Sequence, residues 1–315
     1  MKKTYFVLFI GIILPLLTAC STQPGDPKII RIAALPVLDT LPIYVAQEEG
    51  LFDKHNVKVE VVPAGSAPKR DELINAGQAD GMVNEVVSTI FYNREDTQVQ
   101  IVRYARTATA NSPIFFILSS EKSSITIVNQ LKGTEIGVSQ GTVIEYLTDR
   151  LLQAEGFSDE EIKTIAVPDI GQRMALLSSG ELDAAMLPDP LASLVMQQGA
   201  LLVIDDSSHP EYSHSTLSFR KPFIDENPEA VRGFLAAWED AVNLINDDPQ
   251  KYADLMVARE LVPPPLVGEF PVPQFVTADV PSQEQWEDTI NWVSEKQLEA
   301  GQATYENSIT SEYLP

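Results

Sequence analysis

Three acidic side chains, Asp39, Glu85 and Asp189, each stand just beyond a short apolar run, and Thr40, Asn84, Ser88, Ser139, Gly141 and Thr142 occupy similar places. Carboxylates, amides, hydroxyls and free N–H groups set in turns hold a small molecule by hydrogen bonds; this is the chemistry of recognition. Ser139, Gly141 and Thr142 open a helix predicted over 143–155. The unpaired N–H groups at its start can hold a carboxylate, phosphate, carbonyl or ring nitrogen without an arginine. Blander roles stand beside these. Asn84 can cap the next helix with Glu85 in its solvated first turn, and Thr142 can cap its own helix and bind nothing.

Groups so placed need elements that bring them to one point. Residues 30–52 read as strand, turn and helix: Ile30, Ile32 and Ala34 begin the strand, Leu38-Asp-Thr-Leu41 is the turn, Pro42 suits a first helical turn and Gly50 ends the helix. The turn therefore lies where open α/β sheets collect ligands, at the carboxyl end of a strand and the amino end of a helix. Strands are predicted over 58–62 and 79–83, with a short helix over 69–76 between them that stops at Gly77. Residues 182–187 repeat the design of 79–83: helix, glycine, aspartate, apolar strand. Two βαβ lobes of like construction then face each other. Asp189, in Pro188-Asp-Pro190, points to the same crevice as Asn84 and Glu85.

Further strands are predicted over 99–102, 114–118, 164–167 and 201–204, with residues 103–112 separating the first two. The strand at 114–118 begins the passage out of the first lobe, and 216–219 crosses back. An amphipathic helix starts at Asn227-Pro228 with Trp238 on its core face. Residues 249–258 and 282–298 are helical, and 261–275, with five prolines, is an irregular surface segment.

Before this fold stands Met1-Lys-Lys-Thr, then an almost continuously apolar run over 5–17, then Leu17-Thr-Ala-Cys20. This is an export signal over 1–19, too short to span a bilayer, with a lipobox-like ending that implies cleavage before Cys20 and lipid on its sulfur. Residues 20–28 form a tether. Cys20 is the only cysteine, so the mature domain holds no internal disulfide. The chain has 22 basic and 45 acidic residues; loss of Lys2 and Lys3 takes the formal charge from −23 to −25 (20 against 45). Such a surface repels nucleic acid and anionic headgroups, so the membrane is reached through lipid.

Residues for catalysis or metal binding are not assembled in the sequence. His55, His209 and His214 lack zinc spacing, there is no G-x-S-x-G elbow or dinucleotide fingerprint, and no calcium loop. Asp205-Asp206 and Asp247-Asp248 are adjacent on turns or helix ends, not opposed. A binding protein without cofactor or metal is the expectation.

Landmarks along the mature chain carry a family resemblance: Leu41-Pro-Ile-Tyr-Val-Ala46 with Gly50-Leu-Phe52, Gly77-Gln-Ala-Asp80, Leu131-Lys-Gly-Thr-Glu-Ile-Gly-Val138, Gly180-Glu-Leu-Asp-Ala184 and Asn227-Pro-Glu-Ala-Val-Arg-Gly-Phe234. Their order resembles the periplasmic solute-binding proteins of bacterial ABC importers, in the branch of nitrate, sulfonate and taurine binders and the NMT1/THI5-like thiamine-precursor binders. The resemblance implies a type II periplasmic-binding-protein fold, two α/β lobes joined by two crossover strands. Lobe 1 takes 29–116 and 217–315, lobe 2 takes 117–216. It also implies a solute closed between the lobes, delivery to a permease driven by an ATPase, and site positions at Asp39, Thr40, Gly65, Ser66, Asn84, Glu85, Gly141, Thr142 and Asp189.

Three carboxylates repel a compact anion and accept hydrogen bonds from ring amines or ribityl hydroxyls, which favours a pyrimidine or other vitamin-like heterocycle. Tyr44, Tyr92, Tyr104, Phe115 and Tyr146 are aromatic candidates, Tyr44 mainly for the core. The alternatives are a nitrate, alkylsulfonate or taurine receptor, an enzyme of pyrimidine metabolism on the same scaffold, and a surface sensor that imports nothing.

Overall fold

The computed structural model describes Met1 and residues 27–315. Residues 2–19 of the predicted export signal, Cys20 and most of the tether lie outside the described residues. The chain runs β1 (Lys28–Ala34), α1 (Leu41–Glu48), α2 (Leu51–Lys54), β2 (Val57–Pro63), α3 (Ala67–Asn75), β3 (Gly81–Asn84), α4 (Val86–Tyr92) and β4 (Val99–Thr107). It continues through β5 (Phe115–Ser119), β6 (Glu135–Val138), α5 (Val143–Ala154), β7 (Lys163–Ala166), α6 (Ile170–Ser179), β8 (Ala184–Pro188), α7 (Leu191–Gln197) and β9 (Leu201–Asp205). It closes with β10 (His214–Arg220), α8 (Lys221–Glu226), α9 (Pro228–Asp247), α10 (Ala253–Ala258), α11 (Gln283–Glu295) and α12 (Tyr305–Ser308).

Two five-stranded sheets result, ordered β2-β1-β3-β10-β4 and β7-β6-β8-β5-β9. In each, the first three strands are parallel and the fourth runs against them. The repeat seen in the sequence is thus a repeat of topology. Asp80 and Asp183, its paired aspartates, accept equivalent backbone bonds from Arg220 and Ser120, each at 2.9 Å.

β4 leads out of the first sheet and β10, its antiparallel neighbour, leads back. The crossings themselves, 108–114 and 206–213, are joined by the Ala108 N–H donating to the Ser213 carbonyl at 3.0 Å. The buried Asp206 carboxylate clasps both segments, accepting from the Ile114 and Phe115 N–H groups at 2.9 and 3.0 Å and from the Ser213 hydroxyl. Burial pushes the Asp206 carboxyl up to about 6, against the bonds from Ser213, Ile114 and Phe115.

β4 continues through the residues read from the sequence as a separator. Arg103 there looks like a loop residue, yet it is fully buried, with its guanidinium bonded to Glu239, the Val276 carbonyl and the Tyr104 carbonyl at 2.8, 3.0 and 2.8 Å. Residues 261–275 are irregular as expected but are more than surface: Leu261, Val262, Leu266, Val272 and Phe275 are buried. The Asn246 amide pins this strap, bonding the Phe275 carbonyl and N–H at 2.8 and 2.9 Å.

Trp238 packs in the apolar core formed by α9 with α1 and the first sheet. A second core crosses between lobes: Trp286, Trp292 and Val293 of α11 join Val86 and Ile90 of α4 and Leu147 and Leu151 of α5. Among the described residues, no helix is long and apolar enough to cross a membrane.

Candidate functional site

Asp39, Asn84, Glu85, Ser139, Thr142 and Asp189 line one cavity between the lobes, of about 80 Å³. The other sequence candidates sit beside it. The Thr40 hydroxyl turns back to the Val37 carbonyl at 2.8 Å, and Ser66 caps α3 through the Lys69 N–H at 3.3 Å. Gly65 faces the second lobe, where a Cβ on it would stand 3.6 Å from Asp169 Oδ2. Ser88 is held within the Asn84–Glu85 network, and the Gly141 N–H donates to Glu145 at 2.8 Å. Of the aromatic candidates, Phe115 lines the cavity. Tyr44 is half-buried against the first lobe's core with the Arg259 guanidinium over its ring, while Tyr104 and Tyr146 bond Gln285 and Asp288.

On the first lobe the polar groups answer one another. Asn84 caps nothing. Its amide nitrogen donates to Ser88 and Thr89 at 3.1 and 2.9 Å, and its oxygen accepts from Thr216 and Ser218 at 3.0 and 2.7 Å. The cap of α4 is Glu85, which accepts from the Ser88 N–H at 2.7 Å; it is buried, contrary to the solvated role weighed from sequence. Its other oxygen lies 3.3 Å from Arg70, a guanidinium that also pairs with Asp71 at 2.8 Å. Burial alone would lower the Arg70 pKa, but Asp71 and Glu85 together raise it. Thr142 caps α5 through the Ile144 N–H at 3.2 Å and lines the cavity as well.

The second lobe is built the same way and left unfinished. Arg173 stands in α6 where Arg70 stands in α3: each is the fourth residue of its helix, seven positions before the repeat's glycine and ten before its aspartate. No acid takes the place of Glu85; counting from the repeat's aspartate, that position is Pro188. Arg173 has 0% exposure, donates one bond to the Val167 carbonyl at 2.8 Å, and leaves Nε and Nη2 without a partner among the described residues. Burial brings its pKa down to about 10, opposed only by Asp169.

Other polar atoms around the cavity are also open. Ser139 Oγ, Ser215 Oγ and His214 Nδ1 lack partners among the described residues, as do Nε and Nη1 of Arg106, which lies 3.7 Å from Asp39. Burial lowers the His214 pKa to about 4, so the ring is neutral at pH 7. Two of the acids, by contrast, are supplied, Glu85 by Ser88 and Arg70 and Asp189 at one oxygen by Ser193. Asp189 accepts from the Ser193 N–H and hydroxyl at 3.0 and 2.8 Å, although burial still raises its pKa. Sequence reading missed Arg70, Arg106, Arg173, His214 and Ser215. The repeat held a signal for two of them, the matched spacing of Arg70 and Arg173. No cluster of three or more His, Cys, Asp or Glu able to hold a metal occurs among the described residues.

A model of the family described as NMT1/THI5 like matches residues 38–252. The chain belongs to the NMT1/THI5-like family. It is 25% identical over 300 residues, 90% of this chain and 88% of the relative, to a Bacillus subtilis protein named for binding aliphatic sulfonates. Over 218 residues, 68% of this chain and 67% of the relative, it is 23% identical to a Haemophilus influenzae protein named for thiamine biosynthesis. The alkanesulfonate-binding protein of Xanthomonas axonopodis pv. citri, solved with MOPS, matches with a TM-score of 0.76 at 18% identity, over 91% of this chain and 99% of that one. The desulfurization enzyme DSZB matches with a TM-score of 0.69 at 15% identity, over 91% and 97%. At such identities these structures speak for the fold, the two-lobed periplasmic-binding-protein fold. As one of them is an enzyme, fold alone does not decide between binding and turnover in this NMT1/THI5-like protein.

Proposed function

We propose that this chain is the solute-binding component of an ABC importer, exported and held to the membrane by lipid on Cys20, and that its solute carries an oxyanion head such as a sulfonate. One observation carries the choice of head: Arg173, fully buried in the cavity wall, has two donor nitrogens with nothing to donate to among the described residues. A buried cation without a partner costs several kcal/mol, and an anion in the cavity supplies what Glu85 supplies to Arg70. Ser139, Ser215 and Arg106 add donors around it. The amine-bearing heterocycle favoured from sequence needs carboxylates with open lone pairs. Glu85 already faces the Ser88 N–H and Arg70, one oxygen of Asp189 accepts twice from Ser193, and Asp39 lies beside the Arg106 cation, so each acid is at least partly engaged.

Size points the same way. One water-sized group needs about 10–15 Å³, so a cavity of about 80 Å³ suits a compact head and is tight for a flavin or a substituted pyrimidine. Closure of the lobes on the anion favours the form in which both walls touch it, which a membrane permease then meets, with energy supplied by its ATPase. No step of bond breaking is involved.

Titration calorimetry of the purified chain with methanesulfonate, nitrate and a hydroxymethyl-aminopyrimidine tests the head. Binding of methanesulfonate or nitrate is expected. Binding of the pyrimidine with neither anion taken up would overturn the proposal, and release of product from a bound sulfonate would move the chain to the enzymes. Replacement Cys20→Ser should shift the protein from the membrane to the soluble fraction.

A further inference from the structure

We infer that Lys296 is a positioning residue for the solute site: it holds the buried Glu145 carboxylate, which in turn fixes the loop 139–142 at the cavity wall. The inference rests on the reading of that cavity as the solute site and adds how its second-lobe wall keeps its shape. Ser139 and Thr142 of the loop line the cavity. Between them Gly141 takes a left-handed conformation, φ +69°, and the Thr142 hydroxyl donates to the Ser139 carbonyl at 2.7 Å. The Gly141 N–H, free in principle at the start of α5, donates instead to Glu145 Oε2 at 2.8 Å. The course of the loop therefore follows the place of that carboxylate.

Glu145 is buried, and its other oxygen lies 3.0 Å from Lys296 Nζ. Asp149, also buried and one turn further along α5, lies 3.1 Å from the same ammonium and accepts from Trp292 Nε1 at 2.7 Å. Burial alone would lower the Lys296 pKa, but Asp149 and Glu145 raise it. Two buried carboxylates on one helix thus share one cation, and without it like charges stand one turn apart. Lys296 follows α11, whose chain is tied to the first lobe on both sides. Before it the Asp279 carbonyl accepts from the Tyr104 N–H at 2.8 Å; after it the Gln302 and Thr310 N–H groups donate to the Arg94 and Ile101 carbonyls at 2.8 and 2.9 Å. In between, Asp288 pairs with Tyr146 and Arg150 of α5 at 2.6 and 3.0 Å, and Glu295 with Arg150 at 2.7 Å. This helix is a third connection between the lobes, and its end reaches the first turn of α5.

The test is made on the full chain by calorimetry with methanesulfonate and by amide exchange at Gly141 without ligand. Lys296→Met should weaken binding and speed the exchange, each about tenfold, the scale for a residue that acts on a site through others. Adding Glu145→Gln should restore both, because the amide oxygen still accepts from Gly141 and no unmatched charge remains beside Asp149; a loss of helix packing alone is not repaired in this way. Lys296→Arg, which keeps the charge, should behave as the parent. Glu145→Ala, which removes the acceptor and leaves Lys296 with Asp149, should reproduce both losses even where Lys296→Met fails to fold. Unchanged Kd and exchange in Lys296→Met and Glu145→Ala would overturn the assignment, as would a double variant no better than Lys296→Met. If the parent chain takes up no methanesulfonate, the anion reading falls, and exchange at Gly141 by itself decides the role of Lys296.

Discussion

Arg70 and Arg173 hold the same place in two copies of one design, and they live in opposite electrostatic circumstances. Arg70 is flanked by Asp71 and Glu85, which raise its pKa despite burial. Arg173, with 0% exposure and one carbonyl acceptor, is pulled down to about 10. Around this arginine the first lobe is therefore matched within itself, whereas the second keeps two guanidinium nitrogens open among the described residues. On the function proposed above, stability is placed in one copy and affinity in the other.

The strongest way to break this contrast is to remove each arginine. Arg70→Gln strands the buried Glu85 carboxylate and should destabilise the ligand-free chain by about 3–5 kcal/mol in urea unfolding; a loss below about 1 kcal/mol would mean that Arg70 is no more matched than Arg173. Arg173→Gln should do the reverse. The ligand-free unfolding midpoint stays equal or rises, while methanesulfonate affinity falls about 100-fold, the scale for truncating one side of a buried charge pair. A large fall in midpoint with affinity intact would invert the assignment.

Where the lobes meet, two buried groups titrate in opposite senses and sharpen the comparison. His214, lowered to about 4 from 6.5, takes its proton later in the folded chain than in the unfolded one, so its contribution is full above 6.5 and is lost as pH falls towards 4. Asp206, raised from 3.8 to about 6, contributes below 3.8 and loses that contribution as pH rises through 6. The two nearly cancel between pH 4 and 6. His214→Gln removes the first, so relative to the parent chain the variant should gain on the order of 3 kcal/mol as pH falls from 6.5 to 4. A pH-independent difference between the two in thermal unfolding would show His214 protonated normally.

The smallest effect is expected from Asp39→Asn. Its carboxylate lies 3.7 Å from Arg106 and competes with a bound anion for that guanidinium. Neutralising it should tighten methanesulfonate binding about threefold to tenfold, roughly 1 kcal/mol, in calorimetry. Weaker binding would place Asp39 among the groups that hold the solute directly.

Much of the scaffold was legible because it is local. Gly77 and Gly180 end helices, Asp80 and Asp183 precede short apolar strands, and Pro42 opens a helix, all through backbone preferences that neighbouring residues express. Those rules also brought Asp39, Asn84, Glu85, Ser139, Thr142 and Asp189 to one place. They misjudged what each does there. Asn84 is used up inside its own lobe by Thr216 and Ser218, more than 130 residues away in the chain. Arg103 and Arg106 made a buried strand look like a polar connection, since their partners Glu239 and Asp39 are remote in sequence.

Sequence by itself determined the two-lobed plan, since helix ends, strand alternation and an internal repeat act over a few residues and need no distant partner. Which charges of the cleft stay unmatched was decided only by tertiary structure. Three carboxylates read along the chain suggest an acidic pocket, but the field at a point depends on which charges fold to within a few ångströms of it and how deeply they are buried. Folding engages Glu85 with Arg70 and Asp189 with Ser193 and leaves two nitrogens of Arg173 open among the described residues, so an unmatched cation lines the cavity of a chain whose formal charge is −23.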